Sequence, residues 1–359
     1  MKIVIWTGPA WETWGPHSIR EGGIGGSETA AIHVSRELAR LGHEIEIIGQ
    51  VKPGAFEGVT YFAFGERVDQ PIECDVFVSS RTLSARRLLN VKSRLSVLWL
   101  HDVHAGDDYQ GDLNHYDLVY CVSPWAASFV KNYYTHLSPE KVVITRNGID
   151  TSLFQGPMDF HRKPKFIYSS SPDRGLMRLL DFWPDIKAFC PEAELDVYYG
   201  FDTWDRIVQA RGNSQSRMSL EFLRARVESM SEQGVTYHGR VNQAELAQAF
   251  MASALWAYPT NFTETSCITA MEAQAAGVWP VATKLAALVD TVQFGRLVEP
   301  PNTSEVYKIS FLSHVRELLA DWKPNHYGRR WALDSLSWEG VAAQWESNFS
   351  ERMASKNNL

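Results

Sequence analysis

Short apolar runs recur along the chain, each ending in a polar or glycine-rich stretch that opens an apolar stripe of helical period. Residues 2–6 form a continuous apolar run and read as a buried strand. A long loop and the stretch Gly22-Gly23-Ile24-Gly25-Gly26 follow. A helix capped by Ser27 then runs to Leu41, with Ala30, Ala31, Val34, Leu38 and Leu41 on its inner face and Gly42 as its stop. Residues 43–49 are the next strand, and 74–79, 95–100, 118–122 and 141–145 continue the series. After a polar, proline-bearing stretch the pattern restarts, with strands at 165–170, 194–200, 235–241, 254–258 and 278–282. Strands alternating with helices predict parallel, doubly wound α/β sheets, and the restart predicts two of them.

One stretch carries more chemistry than the rest. In segment 258–283, a strand ends at Pro259, residues 261–266 are turn-like, and 267–276 read as a helix with Ser266 or Thr265 as N-cap and Gly277 as stop. Glu264 precedes this helix and Glu272 lies within it, eight positions on. Ile268, Met271 and Ala275 share one face and should point to a core, with Glu272 at its border and half-buried. Such a carboxylate is costly unless hydrogen-bond donors, such as the vicinal hydroxyls of a ribose, reach it. Glu264 stands beside the free N–H groups of Thr265, Ser266 and Cys267, where phosphate or sugar oxygens are favoured. The plainer alternatives are a helix-dipole role for Glu264 and an arginine partner for Glu272.

The segment E-T-S-C-I-T-A-M-E-A-Q-A-A-G-V-W-P-V-A-T resembles the paired-glutamate signature of retaining, family-4-like glycosyltransferases (group 1) of the GT-B fold. The resemblance implies two Rossmann-like, doubly wound α/β domains facing across a cleft. It assigns residues 1–157 to an acceptor-side domain, 158–164 to a linker, 165–336 to a donor-side domain and 337–359 to a helix returning to the first. It implies that Glu272 holds the nucleotide ribose and that Glu264 lies at the donor sugar. The glycine loop, with Gly25 and Gly26, resembles the loop laid over donor diphosphate and acceptor. His101, at the end of strand 95–100, matches a histidine near the donor sugar and acceptor hydroxyl. Ser169-Ser170-Ser171-Pro172-Asp173-Arg174-Gly175 matches the phosphate loop. Arg174 takes the place of its second cation, and serines stand where the first would be. Segment 235–241, which includes Arg240, resembles the place where backbone meets the base edge.

The resemblance therefore implies transfer of a sugar from a UDP- or GDP-linked donor to a hydroxyl acceptor, with retention and without an essential metal. His101, Glu264 and Arg174 are its candidate catalytic residues. Gly25, Gly26, Arg174, Arg240, Glu264, Thr265, Ser266, Cys267 and Glu272 are the candidates for binding the donor. Alternatives of the same fold are a nucleotide-sugar epimerase, a phosphorylase or a non-catalytic sugar-binding protein.

Composition narrows the partners. The 359 residues are 45% hydrophobic and carry a net charge of −7, which disfavours a broadly nucleic-acid-binding surface. Arg81, Arg86, Arg87, Lys92 and Arg94 could still form a local basic patch, or simply a solvated face. Glycan or lipid acceptors are favoured, and nucleic acid remains open. Four well-separated cysteines show no metal or disulfide spacing, and Asp107-Asp108 lacks the Asp-x-Asp form of a metal motif. No run reaches membrane-spanning length and no signal peptide is read, so a cytoplasmic chain, or one peripheral to the membrane, is expected.

Overall fold

The computed structural model describes residues 1–83, 85–104, 112–159 and 161–357. Asp107 and Asp108, and the side chains of Arg86 and Arg87, lie outside the described residues. The chain divides into two compact units. The first is Met1–Ile19, Ile24–Ile149 and Leu336–Leu359; the second is Arg20–Gly23 with Asp150–Ser335.

The first unit is built on eight strands: β1 (Lys2–Gly8), β2 (Glu44–Gly49), β3 (Gly54–Phe56), β4 (Val59–Ala63), β5 (Ile72–Ser80), β6 (Val91–Leu100), β7 (Leu118–Cys121) and β8 (Val142–Ile144). Their spatial order is β3-β4-β2-β1-β5-β6-β7-β8, parallel except for β3 against β4. The hairpin strands β3 and β4 are short and polar-edged, and the sequence pattern does not announce them. The helix Gly26–Arg40 buries Ala30, Ala31, Val34 and Leu38 against this sheet. Gly25, not Ser27, is its N-cap, and the Ser27 hydroxyl turns to Glu28 Oε2 at 3.0 Å instead. The terminal helix Trp338–Asn357 belongs to this unit. Its Trp338, Val341, Trp345, Phe349 and Met353 join the core under β1, β5 and β6. Trp345 packs edge-on against Trp99 at 4.7 Å and donates to Thr145 Oγ1 at 2.8 Å. Burial of so much aromatic area makes the helix integral to the unit.

The second unit carries β9 (Lys165–Tyr168), β10 (Glu194–Tyr198), β11 (Val235–Gly239), β12 (Leu255–Tyr258), β13 (Trp279–Thr283) and β14 (Arg296–Val298), in the order β11-β10-β9-β12-β13-β14. Every pairing is parallel. Counted from β9, this is the 3-2-1-4-5-6 order of nucleotide-binding sheets. Its four inner strands, β10, β9, β12 and β13, are buried on both faces and are largely apolar runs, which is why they were readable. The polar stretch 202–233 forms two helices, Asp202–Arg211 and Ser214–Ser229, joined at Gly212 and capped by Asn213. No described helix is long and apolar enough to cross a membrane.

Candidate donor site in the second unit

In an open parallel sheet the winding reverses between the two central strands. The loops leaving their carboxyl ends diverge there, and the crevice between them takes ligands. In the second unit those strands are β9 and β12. The loop after β9 holds Ser169 to Arg174, and the loop after β12 holds Pro259 to Cys267. Topology thus brings together residues 90 positions apart: Arg174 Nη1 lies 3.4 Å from Glu264 Oε1.

The pair is framed tightly. Glu264 is buried, and its Oε1 also accepts from the Tyr258 hydroxyl at 2.7 Å. Tyr258 Oη in turn lies 3.1 Å from Ser170 Oγ. The Arg174 guanidinium sits over the Phe262 ring at 3.9 Å, a cation–π contact that flattens it against the loop. Burial alone would make Arg174 easier to deprotonate, but the negative charge of Glu264 holds it protonated more firmly than in water. Gly175, which follows, has φ +124°, and a Cβ there would stand 2.9 Å from the carbonyl oxygen of Pro259. The two loops can meet only because that residue lacks a side chain. Gly175→Ala is expected to destabilise the protein by about 2 kcal/mol or more, read as a lower urea midpoint, because it adds both a clash and a disfavoured backbone angle.

The signature helix spans Ile268–Ala275, with Cys267 as its N-cap at φ 121°. This corrects the expected capping by Ser266 or Thr265. Cys267 makes no side-chain cap, and among the described residues Ser266 Oγ is buried without a hydrogen-bond partner, as is Ser169 Oγ on the opposite loop. A non-glycine residue in this backbone region is strained, and such strain is characteristically held at functional sites. Burial pushes the Cys267 thiol far above its ordinary range, so it is an inert thiol. Thr265 is half-buried beside it. Glu272 is half-buried, and no hydrogen bond or ion pair reaches its carboxylate among the described residues; an arginine partner is thus not found. Burial raises its pKa from 4.5 to about 8.

Arg240 follows β11. Its Nη2 donates to Thr203 Oγ1 at 2.7 Å and its guanidinium lies 5.6 Å from the Tyr199 ring. Gly23 packs here as well. With φ +72°, it comes so close to Val241 that a Cβ would sit 2.7 Å from the Val241 carbonyl oxygen.

In the first unit the corresponding reversal lies between β1 and β5. The glycines Gly25 and Gly26 open the helix that follows β1. Arg81, directly after β5, adopts φ 70°, bonds Asp102 at 2.7 Å and lies 3.7 Å from Glu28. His101, beside Asp102, is half-buried against Trp99 at 4.1 Å, and burial pushes its pKa down to about 3 despite Asp102. It is a neutral imidazole at physiological pH. Of the basic-patch candidates, Arg81 is engaged as above, Lys92 pairs with Glu73 and Arg94 with Asp75. Among the described residues no group of three His, Cys, Asp or Glu side chains could hold a metal ion.

The sequence reading gives Tyr258 no role, and Ser170 enters it only as one of the serines of the loop after β9. The available signal was position: both end a central strand or follow one directly. Residues 173–321, which contain Arg174, Glu264 and Glu272, match the family model described as "Glycosyl transferases group 1". This similarity lies wholly within the second unit. The whole chain also shares its fold with solved glycosyltransferase structures. A sucrose-phosphate synthase from Thermosynechococcus elongatus is 14% identical, with a TM-score of 0.71 over 99% of this chain and 100% of that one. A glycosyltransferase from Rickettsia africae is 14% identical, with a TM-score of 0.70 over 98% of both chains. HepE of Anabaena, in complex with UDP and glucose, is 16% identical, with a TM-score of 0.68 over 98% of this chain and 100% of that one. No curated protein sequence matches significantly. The fold is that of the GT-B glycosyltransferases, and Arg174 lies on the loop after β9, within the matched segment. At the serine positions, Ser170 is committed to Tyr258 and Ser169 offers a hydroxyl, not a charge.

Proposed function

We propose that the protein transfers a sugar from a nucleotide-sugar donor to a hydroxyl acceptor, with retention of anomeric configuration and without an essential metal. The observation that carries this reading is the Arg174–Glu264 pair at the reversal point of the donor-type sheet. Departure of a nucleoside diphosphate builds negative charge, which Arg174 and the amides around Ser266 and Cys267 are placed to absorb; preorganised donors of this kind are worth several kcal/mol. Glu264 hydrogen-bonds the donor sugar and steadies positive character at its anomeric carbon. The acceptor hydroxyl attacks from the face the diphosphate leaves and passes its proton to the departing phosphate oxygen. Glu272 accepts from the ribose hydroxyls, and segment 239–241 with Arg240 meets the base. On the first unit, Gly25 and Gly26 offer backbone amides to the diphosphate. His101, neutral, orients a hydroxyl and does not neutralise charge. The protein acts in a reducing compartment, the cytoplasm, in keeping with its four unpaired cysteines.

HepE has been captured with UDP-glucose, so UDP-sugars head the donor panel, with GDP-sugars beside them. A cognate donor at about a hundred times its Kd should stabilise the native state by roughly 2.7 kcal/mol, a clear rise in Tm. Nucleotide release that requires added acceptor and survives EDTA supports a transferase; release without acceptor points to an epimerase or hydrolase. No shift with any donor would refute the reading.

A further inference from the structure

We infer that Tyr258 is a positioning residue of the transfer site: anchored by Ser170, it grips Glu264 through Oε1 and leaves Oε2 to the donor sugar. The inference rests on the donor-site reading above. Tyr258 ends β12 with its ring fully buried, stacked on Trp256 at 4.9 Å and tilted against Tyr168 at 5.9 Å. That packing leaves the hydroxyl one place to be. An ionised carboxylate only accepts, so Tyr258 donates to Glu264 at 2.7 Å. The phenol oxygen is then open to accept a hydrogen bond from the Ser170 hydroxyl at 3.1 Å, which gives the chain a direction: Ser170 to Tyr258 to Glu264. Burial first, then the charge of Glu264, keeps the phenol protonated well beyond its ordinary range, so the donor proton is always present.

Arg174 reaches the same Glu264 oxygen, at 3.4 Å. Both protein donors therefore hold Oε1, and among the described residues Oε2 has no partner. A one-sided grip fixes the rotamer and presents the second oxygen. The two grips are unequal. Arg174 must turn toward the diphosphate as negative charge develops there. Tyr258 has no such competing demand and holds Glu264 still while the glycosidic bond breaks. Tyr258 touches no reacting atom, and its effect passes through Glu264.

The test uses the full chain and whichever sugar nucleotide of the UDP and GDP panel the parent turns over. Tyr258→Phe should lower kcat about tenfold with donor KM within about twofold, because misplacing one catalytic group costs rate more than binding. Ser170→Ala should lower kcat about threefold, and the double variant should be no slower than Tyr258→Phe alone, because the two act as one chain. A structural defect would instead multiply the two losses. Tyr258→Phe within twofold of the parent, or multiplying effects, overturns the inference while leaving the donor site standing. If Tyr258→Phe does not fold, Ser170→Ala decides, and an unchanged kcat overturns it. A parent inactive on every donor overturns the site reading itself, and this inference with it.

Discussion

Arg174→Ala should reduce kcat by about 100- to 1000-fold while donor KM changes by less than about fivefold. The guanidinium is the only cation the structure places on the loop after β9, since serines fill the other position. The negative charge it answers grows mainly as the sugar–phosphate bond breaks, so its loss is felt in the transition state more than in the ground state. The substitution also strips Glu264 of its only ion-pair partner among the described residues. Arg174→Lys should recover part of the rate, because charge returns but the planar fork and its stacking on Phe262 do not. Steady-state kinetics on the donor found in the panel reads the outcome. A kcat within twofold of the parent would remove Arg174 from the phosphate site.

Glu272→Ala should act on the other term, raising donor KM by about 50- to 100-fold with little change in kcat. Two hydrogen bonds to a charged acceptor are worth about 3 kcal/mol or more together, and ionising Glu272 at neutral pH offsets part of that. The raised pKa adds a pH signature. Free Glu272 titrates at about 8, and ribose hydroxyls bind its ionised form better. Donor binding must then expel a proton at neutral pH, so KM should fall as pH rises toward 8, by up to about tenfold per unit. Calorimetry in buffers of different ionisation enthalpy would detect that proton. Stability has the opposite slope. A carboxyl whose pKa rises from 4.5 to about 8 on folding holds more protons in the native state. Its destabilising contribution appears as pH climbs through 4.5 and is complete above 8. Glu272→Gln should lack this slope and melt above the parent at pH 8 to 9, the reverse of its effect on the donor.

The half-burial of Glu272 was legible because period alone decides which side of a helix a residue takes, and Ile268, Met271 and Ala275 had fixed the inner side. The central strands of both sheets were legible for the same kind of reason: continuous apolar runs bounded by polar turns. The partnership of Arg174 with Glu264 was not legible from local pattern. It depends on β9 lying beside β12, a crossover that no window of sequence contains. Nor was the cap of the signature helix. Propensity favours serine or threonine there, yet the chain turns through a left-handed Cys267 and leaves Ser266 buried and unpaired. A site that holds strain overrides a local preference. The role of Tyr258 stayed hidden because a tyrosine ending an apolar strand looks like core until its hydroxyl is seen to have two partners.

The return of the terminal helix to the first unit has a practical corollary for anyone who would cut or graft this gene. A product stopping after Ile149 lacks Trp338, Trp345 and Phe349, and so leaves a groove in the hydrophobic interior where they belong. It would be expressed as an aggregating fragment rather than a working half. Donor modules from related enzymes should therefore be exchanged as an insert between positions 149 and 336, with the last two dozen residues retained from the host.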